Sequence, residues 1–278
     1  MHLVADSGSS KTDWKVIGQN SQEFQTVGFN PMTQKADWIA EQLPQPEILA
    51  ISNKVTKLDF FGAGCAQYEA CEKMKDILQK QFPNAKINVE SDLKAAALAL
   101  FGNQEGIVCI LGTGSNAALY QNNKLIQNVL SLGHLLGDDG GGYSLGKAFL
   151  RSYLYGQKQW TKAIEDIGLE TDSKTIIKKL YNSPRPNGFV AQYAQVVIAN
   201  QNEDFFKEII NEEISKFFKY FVIPYKNESR QIGFVGSVAF HCQQIIAEIA
   251  KENGFEIQKI IQQPIEELSN FLGQSSNQ

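Results

Sequence analysis

Histidine and cysteine are scarce in this chain, with three of one and four of the other among 278 residues. His2, His134 and His241 are scattered, and Cys65, Cys71, Cys109 and Cys242 lack C-x-x-C spacing, so no zinc-type ligand pattern is present. Cys109 lies inside an apolar run, where a thiol behaves as a small buried hydrophobe. Reduced thiols and a cytoplasmic location are the expectation. No run of about 18 apolar residues occurs, and the first residues enter a strand without the basic stretch and apolar core of a secretion signal. A membrane partner is therefore not expected. Positive charge is not in excess: 26 Lys and Arg against 30 Asp and Glu leave a net charge of −4. Without a basic stripe, a nucleic-acid partner is not expected either. The pattern G-x-x-x-x-G-K-[ST] is absent, which excludes a P-loop enzyme. What remains is the composition of a globular protein, 43% hydrophobic and 20% charged, with length for two domains.

Glycine and hydroxyl side chains, by contrast, are concentrated. Residues 107–111 form an apolar run of strand length, Gly112-Thr113-Gly114-Ser115 is a tight turn, and a strand resumes through Ala118 to Tyr120. Glycines let the backbone approach a bulky anion, while Thr113, Ser115 and Asn116 place donors beside exposed N–H groups. Such a turn can cradle phosphate, although hairpins that bind nothing also carry it. About a hundred residues earlier the same pattern occurs: Leu3-Val4-Ala5 leads into Asp6-Ser7-Gly8-Ser9-Ser10-Lys11-Thr12-Asp13, and Trp14 to Ile17 resume the strand. Two similar hairpins open two halves of the chain, which points to internal duplication. Two such turns can clamp a nucleotide's phosphates.

Periodicity supplies the rest of the order. The first half reads as a strand at 24–29, a helix at 34–42, a strand at 58–62, a helix at 67–82, a strand at 87–90 and an alanine-rich helix at 93–101. The second half has strands at 107–111, 115–120 and 124–131 and a glycine-rich acidic loop at 133–142. Helical spacing then runs over 144–154, 159–181, 189–200 and 203–221. A strand at 231–234 meets Val235-Gly236-Ser237-Val238 before a helix at 239–253, a strand at 257–261, a closing helix from Pro264 through 272 and a polar end expected to fray. Both halves are mixed α/β.

Several carboxylates have two readings each. Asp92 stands at a strand-to-helix junction, where an N-cap aspartate belongs, or where a base on an attacking hydroxyl would sit in a phosphoryl-transfer site. The neighbouring phosphate turns favour the base. Asp6 either caps its turn or holds hydrated Mg²⁺. Asp138 and Asp139 are either a solvated loop or contacts to metal and substrate, and Lys11 is either an exposed strand residue or a point charge on phosphate. Two motif matches are decoys: Gly112 to Ala117 fits G-x-G-x-x-A but opens a strand, and Gly142-Tyr143-Ser144-Leu145-Gly146 fits a nucleophile elbow but follows a loop.

Asp6-Ser7-Gly8-Ser9-Ser10-Lys11-Thr12 resembles the first phosphate motif of the actin, heat-shock ATPase and sugar-kinase superfamily. Leu111-Gly112-Thr113-Gly114-Ser115-Asn116 resembles its second phosphate motif, and Val235-Gly236-Ser237-Val238 its adenosine motif. Gly133-His134, Gly137-Asp138-Asp139-Gly140 and Ser91-Asp92 look most like the branch that unites N-acetylglucosamine kinases with the ATPase activators of acyl-CoA dehydratases. The resemblance implies two ribonuclease-H-like (actin-like ATPase) α/β domains, 1–101 plus 265–278 and 102–264, with nucleotide and sugar in an interdomain cleft. It implies ATP and Mg²⁺, with Asp6 on the metal, Asp92 as the base, and Asn30, Gly64, Thr113, Gly133 and Asp138 around the sugar. Gly8, Ser9, Ser10, Lys11, Thr12, Gly112, Gly114 and Ser115 would hold phosphates, and Gly236 and Ser237 the adenosine. The sequence departs from the branch at Asp139-Gly140-Gly141, where Asp/Glu-Gly-Ser is usual, and in its short length. The implied activity is an amino-sugar kinase, with N-acetylglucosamine as the expected small-molecule substrate. The rival is an ATPase driving a partner enzyme such as an acyl-CoA dehydratase, whose iron–sulfur cysteines find no clear signature in Cys65 and Cys71. A homodimer stays open.

Overall fold

The apolar runs flanking the two glycine turns form hairpins inside two five-stranded mixed sheets. The computed structural model describes residues 1–8, 10–18 and 21–275. By its contacts the chain divides into two units, Met1–Gln104 with Gln263–Gln278, and Glu105–Gln262.

In the first unit the strands are β1 (His2–Ser7), β2 (Lys11–Ile17), β3 (Glu23–Val27), β4 (Lys57–Gly62) and β5 (Lys86–Ser91), in the order β3-β2-β1-β4-β5. β1 runs antiparallel to β2 and parallel to β4, and β4 runs parallel to β5. Leu3, Val4 and Ala5 of the central strand are fully buried on both faces. That is why β1 reads as an unbroken apolar run, whereas the edge strand β3 alternates. The helices are α1 (Ala36–Gln42), α2 (Pro46–Ile51), α3 (Tyr68–Gln81) and α4 (Asp92–Phe101). α3 turns Ala70, Met74, Ile77 and Leu78 inward, at helical spacing. Trp14 anchors the core, with its ring centroid 6.1 Å from those of Phe60 and Phe82.

The second unit repeats this plan. Its strands are β6 (Gly106–Leu111), β7 (Ser115–Gln121), β8 (Lys124–Asn128), β9 (Gln231–Val235) and β10 (Glu256–Ile261), in the order β10-β9-β6-β7-β8. Rank for rank this is the first sheet again, so the echo between the turns reflects a duplicated fold. Between β8 and β9 lie α5 (Gly133–Leu136), α6 (Gly142–Leu154), α7 (Thr161–Glu165), α8 (Ser173–Asn182), α9 (Pro186–Ala191), α10 (Ala194–Ala199) and α11 (Asp204–Phe217). α12 (Ser237–His241) and α13 (Gln243–Glu252) separate β9 from β10. Phe149, Phe206, Phe217, Phe218 and Phe234 build the core on this sheet. The final helix, α14 (Ile265–Ser275), belongs to the first unit, with Leu268 buried and Glu266 paired to Lys15 of β2.

Several boundaries differ from the sequence expectation. The helical pattern over 159–181 is broken after α7, where Gly168 adopts φ +71°. The helix expected over 239–253 is divided at Cys242 into α12 and α13. α2, with Pro46 in its first turn, was not predicted at all. The loop at 133–142 contains one helical turn, α5, and the strand before it ends at Asn128 rather than 131. α14 continues past 272 to Ser275, so residues 273–275 are helical rather than frayed, and the rest of the polar end lies outside the described residues.

Candidate functional site

The parallel strands of the first unit place their carboxyl ends side by side. In register, Ser7 of β1 stands beside Gly62 of β4, and Gly62 beside Ser91 of β5. Asp6 and Asp92 therefore come close enough to repel each other, although they are 86 positions apart in the chain. Asp6 also lies directly across the β1–β2 pair from Asp13, on the same face of the sheet. Burial first, then Asp92 and Asp13, push the Asp6 carboxyl up to about 8, against the pull of Lys11. A carboxyl so placed holds a proton at neutral pH unless a cation takes its place.

Asp92 is not the helix cap. Ser91 caps α4, its Oγ accepting the Lys94 N–H at 3.3 Å, and Asp92 is the first helical residue. The Leu93 N–H donates to Asp92 Oδ1 at 2.9 Å, which favours the carboxylate, but burial prevails and raises its pKa to about 6. Asp92 remains partly exposed. It is thus a carboxylate without a capping task, with an affinity for protons suited to general-base work near neutrality.

The first turn is closed by Gly8, whose N–H donates to the Lys11 carbonyl at 3.0 Å. Beneath it Thr12 Oγ1 donates to the Val27 carbonyl at 2.9 Å and lies 2.7 Å from Ser7 Oγ, which also accepts the Phe29 N–H at 2.9 Å. Ser7 and Thr12 are fully buried. Thr12 thereby has a structural task, its hydroxyl pinning the hairpin to β3 from below. Ser10 is exposed at the turn, and Lys11 Nζ is held 3.0 Å from Asp13 Oδ1. Ser9 lies outside the described residues.

Asn30 and Gly64 are brought into contact. The Met32 N–H donates to Asn30 Oδ1 at 3.0 Å, and a Cβ on Gly64, whose φ is +81°, would stand 2.2 Å from that oxygen. Only glycine fits there. Cys65 is 2% exposed, and burial pushes its thiol up to about 12, so it serves as packing beside Gly62.

In the second unit the turn between β6 and β7 is tied to the start of α6. The Gly142 N–H donates to the Gly112 carbonyl at 2.7 Å and the Tyr143 N–H to the Thr113 carbonyl at 2.8 Å. A Cβ on Gly141 would lie 2.7 Å from the Gly114 backbone, which shows how closely the two segments approach. Asp138, at φ +62°, lies against Gly114 and accepts the Ser115 N–H at 3.4 Å. One N–H of the turn, that of Ser115, thus already faces a carboxylate oxygen. Burial raises the Asp138 carboxyl, and burial and Glu213 raise that of Asp139. Ser115 is 7% exposed and its Oγ has no partner among the described residues. A buried hydroxyl without a partner fits a missing ligand oxygen. Gly133, at φ +65°, opens α5, and its neighbour His134 favours the charged form of Asp138. Gly236 is wedged at φ +127°, with a Cβ position 2.2 Å from the Leu111 carbonyl oxygen, and Ser237 is exposed at the start of α12. Ser144, the serine of the decoy elbow, is 8% exposed inside α6 and donates to the Gly141 carbonyl at 2.9 Å.

Two residues of these arrangements went unnoticed in the sequence. Asp13 is as far after the first turn as Asp6 is before it, so hairpin symmetry would have revealed it. Lys73 on α3 bonds the loop after Asn30, and nothing in its local sequence announces this. Among the described residues no three His, Cys, Asp or Glu side chains converge as a metal cage. Asp6 is nonetheless suited to a hydrated Mg²⁺, which needs one or two carboxylates and keeps its waters. Among the same residues no helix is long and apolar enough to cross a membrane.

No family model and no curated protein matches the chain. Among solved structures it resembles a Porphyromonas gingivalis protein provisionally named N-acetylglucosamine kinase, at 32% identity and TM-score 0.91 over 99% of this chain and 100% of that one. A protein of Chromobacterium violaceum with the same provisional name has 13% identity and TM-score 0.63, covering 98% of this chain and 99% of its own. A ROK family glucokinase of Streptomyces griseus, in complex with glucose and AMPPNP, has 13% identity and TM-score 0.57, covering 99% and 98%. The last two share the fold. Given the duplicated sheets and the first of these likenesses, the chain belongs to the N-acetylglucosamine kinase family of the actin-like ATPase superfamily.

Proposed function

We propose that this ATP-dependent sugar kinase phosphorylates an amino sugar, N-acetylglucosamine, with Asp92 as the base. The observation that carries the reading is Asp92 itself: freed from capping by Ser91, partly buried, and raised to about 6. A carboxylate of this kind orients the sugar hydroxyl and accepts its proton as oxygen attacks the γ-phosphate in line. Gly8, Gly112 and Gly114 let the two turns come close to phosphate oxygens, and the hydroxyls of Ser10 and Ser115 bind them, with the orphaned Ser115 hydroxyl as a donor in waiting. Lys11 adds a point charge. Gly236 and Ser237 face the adenosine, and Asn30, Gly64, Thr113, Gly133 and Asp138 the sugar. Mg²⁺, where Asp6 holds it, supplies positive charge to the phosphates.

The test is ADP release with Mg·ATP across a panel of N-acetylglucosamine, N-acetylmuramic acid, glucosamine and glucose, on wild type and Asp92→Asn. The expected outcome is release that depends on an N-acetylated sugar and is lost in the variant. Release without any sugar, or unimpaired turnover by Asp92→Asn, defeats the proposal.

A further inference from the structure

We propose that Lys73 is the positioning residue for the sugar loop: its ammonium group fixes the segment that carries Asn30, and through it sugar affinity. The inference rests on the kinase reading and on Asn30 as a sugar contact.

Lys73 lies on α3, in its second turn. Its Nζ donates to the Pro31 carbonyl at 2.7 Å and to the Gln34 carbonyl at 2.8 Å, oxygens 42 and 39 positions away in sequence. Among the described residues no carboxylate pairs with it, unlike Lys75 in the same helix, which lies 3.8 Å from Glu72. A half-buried ammonium group held only by main-chain carbonyls is a clamp on the backbone. The segment it clamps is short. The Asn30 carbonyl accepts the N–H groups of Thr33 at 3.2 Å and Gln34 at 3.0 Å, and the Asn30 N–H donates to Gln34 Oε1 at 2.8 Å. Gln34 Nε2 in turn donates to the Gly28 carbonyl at 3.0 Å.

The consequence falls on the Asn30 side chain. Its Oδ1 is occupied by the Met32 N–H and pressed against Gly64, which leaves the Nδ2 amide, without a partner among the described residues, as the end that can donate to a ligand. Gly64 belongs to the segment that leads into α3, and Lys73 reaches the same loop from two turns further along. The Asn30 segment is therefore met at two points, by Gly64 before α3 and by Lys73 on it. Loss of the ammonium group frees two carbonyls and lets the segment, with the amide, swing away from the sugar. Lys73 itself bonds only the Pro31 and Gln34 carbonyls; the first glycine turn is reached at second hand, through Gln34 on the Gly28 carbonyl and the Gly28 N–H on the Ser10 carbonyl at 3.2 Å, so the larger effect falls on the sugar.

The experiment is steady-state kinetics of Lys73→Met, Lys73→Arg, Asn30→Ala and the double variant Asn30→Ala/Lys73→Met, beside wild type and Asp92→Asn. Lys73→Met should raise the sugar KM about tenfold, the scale of a lost charge-assisted hydrogen bond, while kcat and the KM for Mg·ATP stay near wild type. Lys73→Arg should recover part of the loss, and the double variant should be no worse than Asn30→Ala alone. An unchanged sugar KM, equal losses in both substrates, or simple addition of the two effects overturns the proposal. If Lys73→Met does not fold, Lys73→Arg decides by the same split between the two KM values. Wild-type turnover with an unmoved sugar KM in the variants removes only the role of Lys73. Absence of sugar-dependent turnover in wild type removes the kinase reading and this inference together.

Discussion

At the scale of single residues the site is governed by which polar groups already have partners. Because Ser91 caps α4, Asp92 is free to exchange a proton, and its pKa of about 6 sets where activity is lost. A base must be deprotonated, so kcat/KM should be level above about pH 7 and fall about tenfold per unit below about pH 6; a pH–rate profile checks this. A profile flat down to pH 4 would remove Asp92 from the chemistry. Gly236 makes a second residue-scale case. Its φ of +127° and the Leu111 oxygen 2.2 Å from its Cβ position leave no room for a side chain. Gly236→Ala should cost at least about 1–3 kcal/mol of stability, measured by denaturant unfolding, from backbone strain, with the clash against Leu111 adding to it.

At the scale of elements the hairpins depend on hydrogen bonds made beneath the turns. Thr12 joins β1, β2 and β3 through its hydroxyl and is fully buried. Thr12→Val keeps the shape but removes one partner each from the Val27 carbonyl, which retains Thr26 Oγ1 at 3.2 Å, and the Ser7 hydroxyl, which retains Phe29. The expected loss is about 0.5–1.5 kcal/mol in thermal unfolding, with the KM for ATP unchanged. A rise in that KM without loss of stability would return Thr12 to the nucleotide. The last helix is a second element-scale case. Leu268 is 0% exposed where α14 meets the first unit, so Leu268→Ala should cost about 2–5 kcal/mol.

For the whole molecule the site acids oppose folding stability. Asp6 is raised to about 8 and Asp92 to about 6, while both titrate near 3.8 in the unfolded chain. Between those values the folded state binds more protons than the unfolded one. Stability therefore falls as pH rises from about 4 to about 8, the reverse of an ion-paired carboxylate such as Asp59, whose pKa is lowered in spite of burial by His2 and Lys57. Thermal melts of the ligand-free protein should show a lower Tm at pH 8 than at pH 5.5. Asp6→Asn should flatten that slope, and Mg·ATP should raise Tm most at the alkaline end.

The turns, the duplication and the strand-helix order were legible because each rests on neighbours in the chain. Gly112 and Gly114 announce a tight approach, and the Leu3 to Ala5 and Ile107 to Leu111 runs announce central strands. The helical region after 154 was legible as helical, with ends near 181 and 200, but not in its break after α7, since a spacing pattern does not report where Gly168 turns to positive φ. The partners of the site residues were not legible at all. That Ser91 rather than Asp92 caps α4, that Thr12 faces inward, that Asp13 opposes Asp6 and that Lys73 grips the Asn30 loop are set by strand register and helix placement. Local sequence determined which residues are capable of the chemistry. Only tertiary structure decided which of them remain free to perform it, because a donor or acceptor engaged from 40 residues away is no longer available to a ligand.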